Sequence, residues 1–93
     1  MAYQLFYHPD VAKHDFPGIP ANIKETIRRA IEQRLAEEPL LTGEPLRHSL
    51  KGHRKLRVGD YRIIYRIRGK QIIILKIGHR KDVYTKIFSR FDE

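Results

Sequence analysis

The hydrophobic period of this chain changes once along its length, and the change limits the folds open to it. Between Pro20 and about Ala36 the apolar side chains recur at helical spacing on a single stripe, at Ile23, Ile27, Ala30, Ile31 and Leu35. From Arg54 onward apolar and basic side chains alternate with a period of two, which is typical of strands with one buried face. A helix followed by a group of strands predicts an α+β domain.

The N-terminal part predicts one strand and a short helix before the main helix. Tyr3–Tyr7 is rich in aromatic residues and ends before Pro9, so we expect a strand. Asp10–Phe16 can form two helical turns, which Pro17-Gly18 would stop. Residues 39–53 contain two Pro and two Gly without a clean period, and we expect a connecting loop there.

Two turn signals divide the remaining chain into an antiparallel meander of three strands. Gly59-Asp60 is a two-residue hairpin signal. Its register pairs Val58 with Tyr61, Leu56 with Ile63 and Arg57 with Arg62. After Gly69-Lys70, residues 71–77 are apolar on both faces, which fits a central strand covered on both sides. Either Ile72 and Ile74 or Ile73 and Leu75 point at the helices, depending on a bulge that the pattern does not place.

The middle strand of the meander has a core face and an outer face. We expect Tyr61, Ile63, Tyr65 and Ile67 on the core face, and Arg62, Ile64, Arg66 and Arg68 on the outer face. Asp82 can cap a short final helix that runs through Phe88. The expected fold is therefore α+β, with an N-terminal strand, a helical hairpin, the meander and a short C-terminal helix, in a single sheet with helices on one face.

Charge is distributed unevenly between the two halves of the chain. The formal net charge is +8; residues 1–50 hold 6 Lys/Arg against 7 Asp/Glu, whereas residues 51–93 hold 13 against 4. A basic half suggests a polyanion or an acidic protein as partner. The alternative is that surplus lysine keeps a small protein soluble. Arg outnumbers Lys in this half by seven to six, however, and Arg is suited to bidentate phosphate contact.

Length and composition exclude several classes of protein. Ninety-three residues predict a single domain, residues 1–93. No apolar stretch approaches the roughly 18 residues of a membrane helix and no signal sequence opens the chain, so we expect a cytoplasmic protein. The absence of cysteine excludes disulfides, thiolate metal sites and a cysteine nucleophile. His8, His14, His48 and His53 lack ligand-like spacing, so no metal site and no cofactor is indicated.

The expected pairing of Arg57 with Arg62 is unusual, because like charges directly opposite on a sheet destabilise it. Lys55 and Arg66 extend the same face. A bound phosphate would turn the mutual repulsion into a shared attraction. The alternative is that these long side chains splay apart into water at little cost.

The segment Gly78–Tyr84 (GHRKDVY) gathers an imidazole, two cations and a phenol at a strand end. Cleavage of a phosphodiester by its own ribose 2′-hydroxyl needs a base, positive charge on the transition state and an acid for the leaving oxygen. Arginine supplies charge but not basicity. His79, a lysine or Tyr84 could serve, and we expect neighbouring positive charge to lower the pKa of a lysine or of Tyr84. Alternatively, His79 is bonded to the backbone and Tyr84 packs against the sheet edge.

The segments Leu56–Tyr65 (LRVGDYRIIY) and Ile77–Tyr84 (IGHRKDVY) together resemble the C-terminal half of the RelE/ParE toxin superfamily. The resemblance implies a toxin of a type II toxin–antitoxin system with a cognate antitoxin as partner. RelE-like members enter the ribosomal A site and cut mRNA without metal, leaving a 2′,3′-cyclic phosphate and a 5′-hydroxyl. No membrane partner is implied, and DNA only indirectly through the antitoxin.

Matched by position, Arg62 and Arg80 correspond to the arginines that hold the scissile phosphate, and Tyr84 to the tyrosine near the reaction centre. Lys55 matches approximately one second-strand lysine of the family. The paired lysines of some members are replaced here by Arg54, Lys55 and Arg57, so the identity of the base stays open. The remaining candidates are His79 in catalysis and, in RNA binding, Arg54, Arg57, Arg66 and Lys81.

Two other functions remain open. ParE-like members share the fold and inhibit DNA gyrase instead of cutting RNA. A non-catalytic RNA-binding module is the second alternative, and its sheet should display aromatic side chains for base stacking. We expect Tyr61 and Tyr65 on the core face with Ile63, which disfavours it.

Overall fold

A computed structural model describes residues 3–91 as one mixed sheet of five strands with helices. The strands are β1 (Gln4–Tyr7), β2 (Glu44–Pro45), β3 (Arg54–Val58), β4 (Tyr61–Arg68) and β5 (Gln71–His79), in the spatial order β1-β5-β4-β3-β2. β1 runs parallel to β5, and every other neighbouring pair is antiparallel. The expected α+β fold with a single sheet is confirmed. β5 is an interior strand, because β1 and β4 flank it.

Helical segments lie between β1 and β2 and between β2 and β3. α1 (Val11–Asp15) is a π-helical segment followed by a 3₁₀ turn, Phe16–Gly18. α2 (Ala21–Arg29) continues directly into a π-helical segment, Ala30–Leu35. The segment expected as a loop is more ordered than predicted, because it contains α3 (Pro39–Thr42), the edge strand β2 and a 3₁₀ turn, His48–Leu50.

The predicted hairpin register is confirmed. Leu56 pairs with Ile63 and Arg57 with Arg62 across β3 and β4, and Gly59 has the positive φ (+59°) that the tight turn requires. The bulge lies in β5, because Ile64 pairs with Lys76 while Tyr65 pairs with Ile74, which leaves one extra residue, Leu75. It follows that Ile72 and Ile74 join the main core on the helix side.

The sheet is covered on both faces. The main core lies between the sheet and the helices and contains Ile27, Ile31, Leu35, Ile63 and Tyr65 among its buried residues. On the opposite face, which we call the outer face, Ile64 packs with Val83 and Ile87. Residues 80–91 therefore cross the outer face, and we call them the C-terminal strap.

The strap differs from the predicted final helix. Its helical part is a 3₁₀ turn, Ile87–Arg90, which begins four residues later than a helix capped by Asp82 would. Lys86, with a left-handed backbone (φ 56°), precedes this turn and makes no capping hydrogen bond with its side chain. The expectation of a cap at Asp82 was wrong, since residues 80–86 form successive turns instead.

Among residues 3–91, no strand lies beside the edge of β5 beyond Tyr7, and two side chains occupy that edge. The amide of Ile77 donates to the Asp15 carboxylate (2.9 Å), and the Arg90 guanidinium donates to the carbonyl of Leu75 (2.8 Å). These bonds satisfy backbone groups that a further strand would otherwise pair. Among residues 3–91, no helix is long and apolar enough to cross a membrane.

Candidate nucleic-acid interface

Two of the predicted site arginines, Arg57 and Arg62, lie beside the hairpin turn between β3 and β4. On the outer face Arg62 lies between Arg57 of β3 and Gly78 of β5. Its Nη1 donates to the carbonyl oxygens of Gly59 (3.0 Å) and Tyr61 (2.9 Å), which fixes the guanidinium beside the turn. The strand alternation and the tight turn thus concentrate positive charge where β4 begins.

Arg80 is attached to the same turn from the other side. Its backbone N–H donates to the carbonyl of Asp60 (2.8 Å), and its Nε lies 3.8 Å from the Asp60 carboxylate. The Arg80 side chain is 55% exposed, so it can exchange this weak surface ion pair for a phosphate at little cost. The turn thereby bonds both Arg62, in β4, and Arg80, the first residue of the strap after β5.

Tyr84 lies on the strap within the electrostatic reach of Arg62 and Glu44. Burial raises the pKa of its phenol, Arg62 lowers that pKa, and Glu44 raises it again, with a net upward shift. Positive charge from Arg62 lowers the pKa of Tyr84 as expected, but the expected net lowering does not occur, because desolvation outweighs Arg62. The phenol, 38% exposed, stays protonated at neutral pH and can donate a hydrogen bond or stack.

Two lysines flank Ile64 on the outer face. Lys55 lies opposite Ile64 on β3, where it also faces Glu44, and Lys76 lies opposite Ile64 on β5. Burial lowers the pKa of Lys76, and Arg90 lowers it further. The Lys76 ammonium donates to the carbonyl of Thr85, the residue after Tyr84. Lys76 was missed in the sequence, although a lone lysine within an apolar strand is a signal of partial burial.

His79 is not brought to the arginines. It pairs with Tyr61, whose side chain belongs to the helix-side core, and the two rings meet edge-on with centroids 5.6 Å apart. Its Nδ1 accepts a hydrogen bond from the backbone N–H of Lys81 (3.2 Å). His79 therefore lies on the face away from Arg62, beside a cavity that Asp15 and Ile19 also line. This geometry corresponds to the backbone-bonded alternative.

The four predicted RNA-binding residues occupy different places. Arg57 is exposed on the outer face, and Lys81 is exposed in the turn after β5. Arg66 also lies on the outer face, half-buried, and its Nε is enclosed without a hydrogen-bond partner in the part of the chain that the structure describes. Arg54 lies apart from this group, for the reason given next.

Arg54 alternates with Lys55 and extends toward α3. Its Nη2 donates to the carbonyls of Leu40 (3.1 Å) and Gly43 (2.9 Å), and its Nε donates to the Tyr65 hydroxyl (3.3 Å). A Cβ at Gly43 would lie 2.1 Å from that hydroxyl, so only glycine fits there. Arg54 therefore holds α3 and β2 against the sheet, and the structure does not place it with the outer-face arginines.

Among residues 3–91 no group of three or more His, Asp or Glu side chains could hold a metal ion. The outer face thus presents guanidinium, ammonium and phenol groups near one turn. Such groups can bind a phosphodiester and stabilise the negative charge that develops on it.

Comparison with known proteins agrees with the fold and with the two motifs. The family model described as "ParE toxin of type II toxin-antitoxin system, parDE" matches residues 4–84. Toxin RelG of Mycobacterium tuberculosis is 35% identical over 77 residues, which cover 81% of this chain and 88% of RelG.

Two solved structures resemble this one closely. The toxin–antitoxin complex RelBE2 of M. tuberculosis contains a chain that is 30% identical, with a TM-score of 0.80, covering 86% of this chain and 100% of that one. A mutant of Escherichia coli toxin RelE in the free state has a TM-score of 0.75 at 17% identity, covering 97% and 94% of the two chains, and shows the fold alone. With the family match and the RelG relative, these findings show that the chain belongs to the RelE/ParE superfamily of type II toxin–antitoxin toxins.

Proposed function

We propose that this toxin is a ribosome-dependent endoribonuclease that cuts mRNA in the ribosomal A site. The observation that carries the proposal is the attachment of Arg62 and Arg80 to one hairpin turn, with Tyr84 in the field of Arg62. Two guanidinium groups attached to the same turn can hold one phosphate between them, and single-stranded RNA exposes its phosphates to such a site.

The proposed reaction uses the ribose beside the scissile phosphate as the nucleophile. A base takes the proton of the 2′-hydroxyl, the 2′-oxygen forms a bond to phosphorus, and the bond from phosphorus to the 5′-oxygen breaks. An acid then protonates the 5′-oxygen, leaving a 2′,3′-cyclic phosphate and a 5′-hydroxyl. Arg62, Arg80 and Arg57 stabilise the charge on the pentacoordinate phosphorus, so the toxin need not supply a metal.

The proton-transfer groups are drawn from the residues around Ile64. Lys76 suits the base because its lowered pKa increases the neutral fraction of its amine, and Lys55 is the second candidate. Tyr84 suits stacking on a base or donation to the leaving oxygen, since its pKa is raised. His79, on the helix-side face, has no part in this arrangement.

We propose further that a cognate antitoxin binds the toxin and covers the basic outer face. The RelBE2 chain is part of a toxin–antitoxin complex, and a RelB–RelE complex of Methanococcus jannaschii resembles this fold with a TM-score of 0.66. An acidic or amphipathic segment that is disordered alone and folds on binding can wrap a surface of this size.

A ParE-like activity on DNA gyrase is the second candidate function, favoured by the match to the ParE family model over residues 4–84. The two candidate functions are distinguished by assaying one purified preparation both for mRNA cleavage on ribosomes and for inhibition of DNA supercoiling by gyrase. We expect mRNA cleavage that survives treatment of the toxin with EDTA, with ribosomes then supplied at normal magnesium, and unchanged supercoiling. Intact mRNA together with inhibited supercoiling would establish the ParE activity instead.

A further inference from the structure

The outer face carries a second group of side chains at the end of the sheet away from the hairpin turn. Phe6, Ile73 and Arg66 lie in one row across β1, β5 and β4, and Gln4, Gln71 and Arg68 lie in the next. We call these six residues the β1-end surface. The combination of an aromatic ring, two guanidinium groups and two amides on a sheet differs from the apolar side chains that fill the core.

The β1-end surface is open and shaped as a shallow cleft. Phe6 is 45% exposed, Arg68 is exposed, and Ile73 is half-buried between them. Phe6, Ile73, Arg66, Arg68 and Gln71 line a cleft of about 260 Å³.

An exposed phenylalanine on a sheet, flanked by arginines, has the chemistry that binds single-stranded RNA. The base stacks on the ring, the guanidinium groups contact the adjacent phosphates, and amides reach the edge of the base. We propose that the β1-end surface is a nucleotide subsite for single-stranded RNA, in which a base stacks on Phe6 and a phosphate binds Arg68 and Arg66. This inference rests on the proposed function for the identity of the ligand.

The subsite lies at a distance that flanking nucleotides of the same RNA can span. Arg66 and Arg68 follow Arg62 by four and six residues on β4. At about 3.3 Å per residue, the separations are roughly 13 and 20 Å. The C-terminal strap crosses the sheet between the two places and presents Phe88, which is 54% exposed and packs edge-on against Phe91. An RNA strand that bridges the two places would therefore run over this part of the strap.

Neighbouring residues on β1 provide a matched pair of variants for the test. Phe6 faces the outer side, whereas Tyr7, 40% exposed, also borders the cleft but pairs with Ile74 of the helix-side core and lies with Phe16 and Lys24. Phe6→Leu and Tyr7→Leu each remove one exposed ring from the same strand, and the two rings lie on opposite faces. Arg68→Gln and Arg29→Gln each remove one exposed positive charge, from the outer face and from α2 respectively.

The probe is a short, fluorescently labelled single-stranded RNA with 2′-O-methyl riboses, which cannot be cut, and the readout is fluorescence anisotropy across a range of salt. We expect Phe6→Leu to weaken binding about fivefold or more, since stacking on an aromatic ring is lost. Tyr7→Leu should stay within about twofold of the wild type. Arg68→Gln should reduce the salt dependence by about 0.7 in log–log slope, the contribution of one phosphate contact, and Arg29→Gln should not.

Equal RNA affinities for Phe6→Leu and Tyr7→Leu would overturn the subsite. The subsite would also be overturned if variants of the β1-end surface weakened the complex with the antitoxin but left RNA affinity unchanged. The same preparations are assayed for ribosome-dependent cleavage, which separates the two proposals. Cleavage by wild type with no effect at Phe6 on RNA binding rejects the subsite alone. RNA binding that depends on Phe6, with no cleavage by wild type, rejects the nuclease and retains the subsite.

Discussion

Arg90 and Asp15 form a bidentate ion pair between the two ends of the chain, with Nη1 to Oδ2 at 2.9 Å and Nη2 to Oδ1 at 3.0 Å. Both side chains are buried, Arg90 to 7% residual exposure, and both also bond the open edge of β5. The pair therefore joins α1, the sheet and the strap that carries Tyr84.

We expect Asp15→Ala to destabilise the protein by about 3 kcal/mol, because it leaves a buried guanidinium with only the more distant Asp10 carboxylate (3.6 Å) and an amide of β5 without its acceptor. Urea unfolding followed by circular dichroism measures the change. Glu25→Ala is the control, since it removes only exposed ion pairs, with Arg28 and Arg29, and we expect a much smaller loss. Equal losses in the two variants would contradict the role assigned to Asp15.

Arg62→Ala and Arg80→Ala should each reduce mRNA cleavage by about 100-fold or more, because each removes a charge-assisted contact to the transition state. The fold should persist, as neither side chain is part of the core. Single-turnover cleavage on ribosomes gives the rates, and Arg34→Ala on the helix side controls for the loss of one exposed charge. Full growth arrest by both variants at wild-type expression would refute their assignment.

Tyr84→Phe should retain more cleavage activity than Tyr84→Ala if stacking is the main contribution of this residue. Burial raises the pKa of the phenol, so we expect its hydroxyl to stay protonated in the neutral range and to be a poor base. The measurement is the cleavage rate of both variants between mildly acidic and mildly alkaline pH. A rate that rises with pH in wild type and loses this dependence in Tyr84→Phe would show that the phenolate is the base after all.

Stability should fall as the pH drops below the ordinary pKa of histidine, in part because of His53. Its ring stacks on Phe91, with centroids 3.7 Å apart, and burial together with the charge of Arg66 lowers its pKa. The unfolded chain therefore binds the proton first, which favours unfolding from about pH 6.5 downward and has no effect above it. His53→Phe should flatten this limb in thermal unfolding curves, and an unchanged limb in this variant would contradict the assignment.

The complex with the antitoxin should weaken as salt concentration rises, because the basic outer face is expected to meet an acidic segment. Charge reversal at Arg57 or Arg62 should weaken it further, and reversal at Arg34 on the helix side should matter little. Titration calorimetry with the product of the neighbouring gene provides the measurement. A tight complex whose affinity does not change with salt or with either charge reversal would show that the antitoxin binds the apolar helices instead.

The strand register was predictable because a two-residue turn and an alternating pattern together fix which residues face each other. The partner of β1 was not, since a period of two says nothing about which distant strand completes the sheet. The position of the β5 bulge was equally hidden, because residues 71–77 are apolar on both faces.

The motif residues were predictable as a set but not in their arrangement. Arg62 and Arg80 each bond a residue of the same turn, whereas His79 lies on the other face. The Asp15–Arg90 pair joins residues 75 positions apart, and charge patterns in a sequence do not identify such partners. The sequence did not identify Phe6 as a binding residue, because its position on the outer face depends on the pairing of β1 with β5.

The pairing of β1 with β5 also constrains how the molecule is made. The first strand of the chain has no partner until the last strand has been synthesised, and the Asp15–Arg90 pair closes later still. Contacts between such distant positions slow folding, since the chain must lose much of its freedom before they form. A nascent chain therefore lacks the complete sheet, and the attachment of Arg80 to the hairpin turn, until β5 and the strap have been synthesised.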